Sequence, residues 1–392
     1  MKRLKLCLLA ATLFAVSAFS LHAQEVGQPQ NLSLKLETRA AIERGLEFLA
    51  TNQNSGGYWT AEDFPGLSAL VIQAFLGSPV PPERGREHPA AKRGLAFLVS
   101  KGQPDGGIYT PGRGLANYNT AISLVALYMD NDPANLELMR RARAFVVAQQ
   151  QLDYRPGTDQ AAYLGGIGYG NSYRHSDMSN TSLAIDALHR TRDLLERSAE
   201  AENDPRLDWD AAIGFLTRSQ NLPETNSLTW ASADPVNRGG FIYFPGDSKA
   251  GEMEVSTDTG GTRTALRSYG SMSYAGLMSL VYADLDRDDP RVAAVLEWIS
   301  KNWTVDENPG LGGQGQYYYY MTMPKALTAA GITNLNTPEG PVNWREELAR
   351  KLLNLQREGG FWRNDAGRWM EADPNLVTAY VLLALNRIYD DL

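Results

Sequence analysis

A pair of adjacent glycines, set between two helix-forming segments, recurs six times along the chain. The second glycine of each pair stands at positions 57, 107, 166, 240, 313 and 360. The steps of 50, 59, 74, 73 and 47 residues are uneven because the longer ones carry insertions. Glycine adopts the positive φ that ends a helix and allows a tight turn. The pattern therefore predicts six helix–turn–helix units.

The two helices of each unit differ in polarity. The first alternates apolar and charged residues at helical spacing, as in residues 41–53, and so buries one face. The second is apolar on all sides, as in residues 121–127 and 379–385, and is expected to be buried all round. Six outer and six inner helices predict an all-α fold, an (α/α)6 toroid. An open solenoid is the alternative, but it needs polar capping repeats at both ends, which the sequence lacks.

Three insertions and one short β segment interrupt this plan. The insertions cover residues 190–208, 221–238 and 244–269, and we expect them on the rims of the barrel. A short hairpin is predicted around residues 255–258.

The N-terminus has the pattern of a secretory signal peptide. Lys2, Arg3 and Lys5 precede an apolar stretch over residues 6–19, and Ala23 provides a small residue at a cleavage point. We therefore expect residues 1–23 to be removed and the mature protein to be exported, either to the periplasm or as a secreted protein.

The mature chain is limited in its chemistry. Residues 24–38 are expected to form a linker and residues 39–392 a single toroid domain. Loss of the three basic leader residues takes the formal net charge from −8 to −11, too acidic for a general nucleic-acid binder. The only cysteine, Cys7, leaves with the leader, so no disulfide or cysteine-bound metal is expected. No later apolar run reaches the roughly 18 residues of a membrane helix, and we predict no metal and no cofactor.

The repeat resembles that of the prenyltransferase and squalene-cyclase (terpenoid cyclase) superfamily. Its glutamine–tryptophan motif is matched by Gln53, Gly57 and Trp59, and again by Gln356, Gly360 and Trp362. The resemblance covers about residues 39–392 and implies an α/α toroid. Protein prenyltransferases and complement-like thioester domains need a cysteine in their sites, which the mature chain lacks.

Squalene–hopene cyclases of this superfamily protonate their substrate with an Asp-x-Asp-Asp motif. Residues 286–289 match that string. They lie between the fourth and fifth units, at the end of the barrel away from the glycine turns, whereas the family's acid stands near the start of an inner helix. Asp289 followed by Pro290 instead fits the cap and first position of a helix.

The starts of the inner helices form the candidate site. In a toroid they converge on one mouth, where free N–H groups and partial positive charge gather. The residues there are polar and aromatic, as in ligand pockets. The candidate ligand-binding residues are Tyr118, Asn119, Tyr173, Asn180, Tyr274, Tyr318, Tyr320, Lys325 and Trp369. The candidate catalytic residues are Asp177, His175, Glu371 and Asp373.

Several of these residues have a structural alternative. Asp177 and Asp373 fit helix caps as well as acids. His175 fits either an acid–base pair with Asp177 or a surface loop. Lys325 lies one turn inside a buried helix and needs an acidic partner, for which we expect Glu371 or Asp373.

Three functions stay open. We favour an exported protein that binds an apolar or isoprenoid-like small molecule in the barrel. The second is a terpenoid cyclase-type isomerase or transferase that uses Asp177 as its acid, with tyrosine faces stabilising cations. The third is a glycan-active or glycan-binding barrel, in which Asp177 and either Glu371 or Asp373 supply paired carboxylates.

Overall fold

The computed structural model describes residues 31–153, 159–170, 175–197, 202–256 and 260–392. Twelve α-helices in this part of the chain alternate between an outer and an inner ring. The outer helices are α1 (Leu32–Thr51), α3 (Pro89–Ser100), α5 (Leu136–Val147), α7 (Trp209–Arg218), α9 (Pro290–Lys301) and α11 (Trp344–Leu355). The inner helices are α2 (Pro65–Leu76), α4 (Ala116–Asp130), α6 (Met178–Arg190), α8 (Gly270–Tyr282), α10 (Gln316–Ala329) and α12 (Pro374–Ile388).

The six inner helices form a closed ring. Each packs against the next in chain order, and α12 packs against α2. Every residue of α2 is buried, whereas α11 buries one face through Trp344, Leu348, Ala349 and Leu352. The predicted (α/α)6 toroid is therefore confirmed, and the open solenoid is excluded.

In five of the six units the glycine turn packs against the backbone of the next unit's outer helix. Gly57 has a φ of 85°, and a Cβ there would lie 2.6 Å from the carbonyl oxygen of Arg93 on α3. Gly239 has a φ of 94°, and its Cβ would lie 2.1 Å from the carbonyl oxygen of Ala294 on α9. A side chain would overlap the backbone of the next unit, so both turns require glycine.

The same contact joins the two ends of the chain. A Cβ on Gly360 would lie 2.7 Å from the carbonyl oxygen of Arg44 on α1. Gln356 donates from Nε2 to the carbonyl oxygens of Gly360, at 2.9 Å, and Ala41, at 3.0 Å. Gln53, Gln150 and Gln220 make equivalent pairs of bonds. In each pair Nε2 donates to a glycine carbonyl of its own turn and to a carbonyl at the start of the next outer helix. The repeated glutamine and glycine therefore form a clamp between neighbouring units.

Each clamp is also fixed to an inner helix through a hydroxyl group. In five units a backbone N–H group donates to a serine or threonine of the following inner helix. The donor lies one or two residues after the second glycine. These acceptors are Ser68, Thr120, Thr181, Ser273 and Thr378, at 2.9–3.1 Å. The turn, its own inner helix and the next outer helix are thus held together.

Two short hairpins are appended to the helices. β1 (Glu252–Ser256) pairs antiparallel with β2 (Thr262–Leu266), which confirms the predicted hairpin. A second hairpin, β3 (Leu335–Thr337) with β4 (Gly340–Val342), was not predicted.

Asp289 caps α9, with Oδ1 accepting from the N–H of Arg291 at 2.9 Å, so the capping interpretation of residues 286–289 is confirmed.

The N-terminal boundary differs from the prediction. α1 begins at Leu32, so the expected linker over residues 24–38 is wrong for its last part. Asn31 caps the helix by accepting from the N–H of Leu34 at 3.2 Å, and Leu34 and Thr38 are buried. The predicted signal peptide, residues 1–23, lies outside the described residues. No helix within them has both the length and the apolar character to cross a membrane.

Candidate functional site

A cavity of about 250 Å³ lies where the inner helices begin. It reaches one to two turns into these helices at one end of the barrel. The helices contribute Leu67, Tyr118, Ser179, Ser271, Met272, Tyr318, Leu376 and Tyr380 to its wall. The segments before the helices contribute Phe64, Leu115, Tyr169, Tyr243, Lys249, Tyr269, Gly315, Trp369, Met370 and Glu371.

Six tyrosines give the cavity an aromatic wall. The ring of Tyr318 on α10 meets that of Tyr380 on α12 edge to face, with centroids 5.9 Å apart. Its hydroxyl lies 3.3 Å from Oγ of Ser179 on α6, on another side of the lumen. Burial raises the pKa of Tyr318 to about 12, so this phenol is neutral at ordinary pH. The wall therefore presents uncharged aromatic surface with a few fixed hydroxyls.

Glu371 is the one carboxylate among the described residues that line the cavity. It is buried, and Oε1 accepts from the N–H of Tyr318 at 2.8 Å. Oε2 accepts from Nδ2 of Asn364 at 2.6 Å. Burial raises the pKa of Glu371, although the bonds from Asn364 and the first turn of α10 act against this. The carboxylate thus accepts a hydrogen bond from the first turn of α10, whose N–H groups have no partner within the helix.

Lys249 is the one cationic side chain among the described lining residues. Its ammonium group pairs with Asp247 and lies 4.4 Å from the ring centroid of Tyr243. It belongs to the insertion 244–269, which reaches over the mouth. The charge is therefore balanced locally by a carboxylate and an aromatic face.

Trp369 and Met370 form the outer lip of the cavity. Their φ angles are 54° and 64°, a left-handed backbone that is costly for residues with a side chain. Trp369 packs against Gly315, where a Cβ would lie 3.0 Å from the indole. Because 44% of Trp369 stays exposed, its ring extends the aromatic wall to the solvent.

Asp177 is fully buried but does not line the cavity. It caps α6, with Oδ1 accepting from the N–H of Asn180 at 2.9 Å and Oδ2 from its Nδ2 at 2.8 Å. Burial raises the pKa of Asp177 to about 7, against the effect of these two bonds. The carboxyl group and Asn180 therefore act as a helix cap in this position.

We expect Asp177 to make the protein less stable as the pH rises from about 4 to about 7. Its pKa is higher in the folded protein than the ordinary 3.8, so the folded state binds more protons in this window and the free energy of unfolding falls. This fall in the free energy of unfolding is on the order of 3 kcal/mol, and it will be absent in Asp177→Asn. Urea unfolding as a function of pH measures this slope. Asp373→Asn, which changes the cap of α12 in the same way, is the control, and equal slopes in wild type and Asp177→Asn would contradict the assignment.

Two other candidate acid–base residues lie away from the cavity. The ring of His175 packs on Phe244, with centroids 4.5 Å apart. Asp373 caps α12 by accepting from the N–H groups of Asn375, at 2.8 Å, and Leu376, at 3.0 Å. The capping alternative for Asp373 is therefore confirmed, and neither side chain lines the cavity.

Three candidate binding residues also lie outside the cavity wall. Asn119 accepts from the N–H of Gly66 at 2.9 Å and so satisfies the first turn of α2. Tyr274 is buried edge to face against Tyr319, with centroids 5.5 Å apart. Tyr320 donates to a backbone carbonyl of the loop before α10.

Lys325 has a different partner from the one expected. Its Nζ lies 3.0 Å from Oδ2 of Asp186 on α6, so pairing with Glu371 or Asp373 is wrong. Those two acids precede α12 at the mouth, whereas Lys325 lies deeper in the lumen. Tyr173 lies outside the described residues.

Several lining residues are not indicated by the sequence pattern at the starts of the inner helices. Tyr169 and Tyr243 follow glycine turns, and Lys249 lies in an insertion expected on the rim. Tyr380 lies in the middle of an apolar helix. The aromatic residues after the glycine pairs could have indicated Tyr169 and Tyr243. No sequence signal indicates the path of the insertion that carries Lys249. Among the described residues no cluster of three or more His, Cys, Asp or Glu side chains is placed to bind a metal ion.

Known structures share the architecture of this chain. No family model matches the sequence, and no curated protein matches it significantly. A variant of the type II terpene cyclase MstE from Scytonema, in complex with merosterolic acid A (product), matches with a TM-score of 0.52 and 12% identity, over 92% of this chain and 100% of that one. Another variant, in complex with geranylgeranyl dihydroxybenzoate (substrate), matches with a TM-score of 0.50 and 13% identity, over 92% and 100% of the chains.

The same fold occurs in a different class of enzyme. A family 76 glycoside hydrolase from a bovine Bacteroides thetaiotaomicron strain matches with a TM-score of 0.53 and 12% identity, over 89% of this chain and 77% of that one. Identities this low show a shared α/α toroid fold and leave the chemistry to be argued from the site.

Proposed function

We propose that this protein binds an apolar, isoprenoid-like small molecule in the cavity at the mouth of its barrel. The observation that carries the proposal is the wall of six tyrosines. Phe64, Leu67, Met272 and Leu376 add aliphatic and aromatic surface between them. A ligand that removes this surface from water gains about 25 cal/mol per Å² of apolar area.

The charged groups at the site favour an uncharged ligand. Lys249 is already paired with Asp247, and Glu371 is bonded to Asn364 and Tyr318. A ligand with a net charge would have to displace one of these contacts. Hydroxyl groups such as that of Ser179 are placed to orient a single polar end, for example an alcohol.

The fold comparison supports an isoprenoid rather than another apolar molecule. One structure with this toroid holds geranylgeranyl dihydroxybenzoate, a compound with an isoprenoid chain. The N-terminal leader pattern adds the proposal that binding takes place outside the cytoplasm.

The two enzymatic alternatives are less favoured by the placement of the acids. A cyclase acid must reach the reacting carbon, but both oxygens of Asp177 are bonded to Asn180, behind the wall. A glycoside hydrolase needs two carboxylates across its cleft. Glu371 is the one carboxylate in the described lining.

Calorimetry with farnesol, an isoprenoid alcohol, tests the proposal on the mature protein. We expect one farnesol per chain with a Kd of about 1 μM, from the affinity usual for a ligand of this size. Solvent extraction after incubation should return farnesol unchanged. Binding of an oligosaccharide without binding of farnesol would overturn the proposal, and a cyclised product would replace it by the cyclase function.

A further inference from the structure

Backbone strain is concentrated at the mouth of the cavity. Six non-glycine residues in the described part of the chain have a positive φ, namely Thr60, Leu115, Asn131, Asp284, Trp369 and Met370. Asparagine and aspartate tolerate this conformation. Of the other four, Leu115, Trp369 and Met370 line the cavity. Left-handed backbone at residues with large side chains clusters where proteins clamp ligands or switch between states. The strain therefore indicates a moving part at the mouth.

The two adjacent strained residues belong to a loop with a buried base, residues 364–371, which we name the lip loop. The N–H of Asn364 donates to the carbonyl oxygen of Glu371 at 2.9 Å, and Nδ2 of Asn364 donates to Oε2 of Glu371 at 2.6 Å. The same Nδ2 donates to the carbonyl oxygen of Gly313 at 2.7 Å. Glu371 also accepts from the first turn of α10. Because Asn364 and Glu371 are buried, the base is fixed to the barrel.

The tip of the lip loop, residues 365–370, makes its polar side-chain contacts at the surface. Nη1 of Arg368 donates to Oε1 of Gln314 at 2.6 Å, and both side chains are exposed to solvent at this bond. The guanidinium of Arg368 lies 4.2 Å from the ring centroid of Trp369. Exposed contacts of this kind stabilise weakly, and the backbone strain in the tip acts against them. An unstrained arrangement of the tip is therefore close in energy to the observed one.

Trp369 narrows the mouth by lying on Gly315 at the start of α10. A Cβ on Gly315 would lie 3.0 Å from the indole, so the ring is close to the backbone of this residue. Both residues line the cavity. The contact joins the tip to the barrel from the solvent side, whereas the base of the loop is held separately by Asn364 and Glu371. The tip can thus move away from Gly315 while the helices around the cavity stay in place.

We propose that the tip of the lip loop is a gate through which the ligand enters and leaves the cavity. In the closed state, which is the observed one, Trp369 lies on Gly315. In the open state the indole leaves this glycine and the backbone of Trp369 and Met370 is unstrained. The strain keeps the two states close in energy, so the gate opens without unfolding of the barrel. The identity of the ligand rests on the function proposed above, but the movement of the gate is measurable without a ligand.

Thiol labelling measures the opening of the gate in the ligand-free protein. Met272 lines the cavity and is 3% exposed, so a reagent reaches a cysteine there through the mouth. Cys7, the only cysteine of the sequence, lies in the predicted leader, and Met272→Cys gives the mature protein a single thiol. Iodoacetamide, a small thiol reagent, is the probe.

Met370→Ile and Met370→Leu form the matched pair in this Met272→Cys background. The two side chains are isomers, but branching at Cβ makes left-handed backbone less favourable for isoleucine. We expect labelling to be about fivefold faster in Met370→Ile than in Met370→Leu, the ratio that corresponds to about 1 kcal/mol.

Met370→Gly and Met370→Ala form a second pair with the opposite sign. Glycine accepts the φ of 64° at this position without strain, so the closed state is favoured. We expect labelling to be about fivefold slower in Met370→Gly than in Met370→Ala. Either pair is a sufficient test if a variant of the other does not fold. Equal labelling rates within a folded pair would overturn the gate.

Stopped-flow kinetics with farnesol, followed by tryptophan fluorescence, then tests whether the ligand uses the gate. Because opening precedes both entry and exit, we expect the association and dissociation rate constants to be about fivefold higher in Met370→Ile than in Met370→Leu, with similar Kd values. Faster dissociation with equal association would make Met370 a ligand contact and overturn the gate. Unequal labelling rates in a protein that binds no farnesol would support the gate and overturn the function proposed for the cavity.

Discussion

Gly239→Ala will lower the free energy of unfolding by about 4 kcal/mol, the sum of backbone strain and overpacking. The φ of 94° at this position is unfavourable for alanine, and the new methyl group would lie 2.1 Å from the carbonyl oxygen of Ala294. To relieve the overlap, α9 must move away from the fourth unit. That movement breaks the bonds from Gln220 to Gly239 and Arg291. Urea unfolding followed by circular dichroism measures the loss.

Gly251→Ala separates the two contributions. Gly251 also has a positive φ, 81°, but no atom lies within 4 Å of a Cβ built there. Alanine at this position adds only backbone strain, which lowers the free energy of unfolding by about 1 kcal/mol. If the two variants lose the same stability, the contact between the turn and α9 is not what requires glycine.

Ser179→Trp will weaken farnesol binding by about 100-fold or more, since the loss of a buried apolar ligand site amounts to several kcal/mol. Ser179 stands at the start of α6, and its hydroxyl approaches Tyr318 at 3.3 Å. An indole there fills much of a cavity of about 250 Å³. Calorimetry with farnesol measures the loss of affinity.

Ser33→Trp is the matched control for this variant. Ser33 lies on the exposed face of α1, so the same chemical change leaves the cavity open. Both variants should keep the helical circular dichroism of the wild type. Wild-type affinity in a folded Ser179→Trp protein would place the ligand elsewhere and contradict the proposed site.

The architecture was predictable because it depends on local patterns. The polarity of the helices and the glycine pairs are visible in a single unit and indicate two rings. The sequence indicates only one of the two reasons for the glycines. The sequence predicts a tight turn, but the approach of Gly239 to α9 depends on a helix more than fifty residues away. In the fifth unit the φ of Gly312 is 60°, yet no backbone atom lies within 4 Å of its Cβ position, so that pair serves the turn alone.

The site was predictable in position and less so in detail. Tyr118, Tyr318, Trp369 and Glu371 line the cavity as residues near the inner helix starts. Tyr320 does not, because successive residues of a helix point about 100° apart and the sequence leaves the rotation of a uniformly apolar helix open. Lys249 was missed since its loop is positioned by tertiary contacts.

The clamp that joins the last unit to the first has a consequence for how the molecule folds. Gln356 and Ala41 are 315 positions apart in the chain, so the ring closes only when nearly all of the chain is present. Until then the apolar faces through which α2 and α12 contact each other are not covered. This contact is slow to form because the two helices are far apart in the sequence. In an open solenoid, loss of a terminal repeat removes roughly one repeat's share of stability. Here, removal of the sixth unit would open the ring on both sides, and we expect the remaining five units to lose their cooperative unfolding transition together.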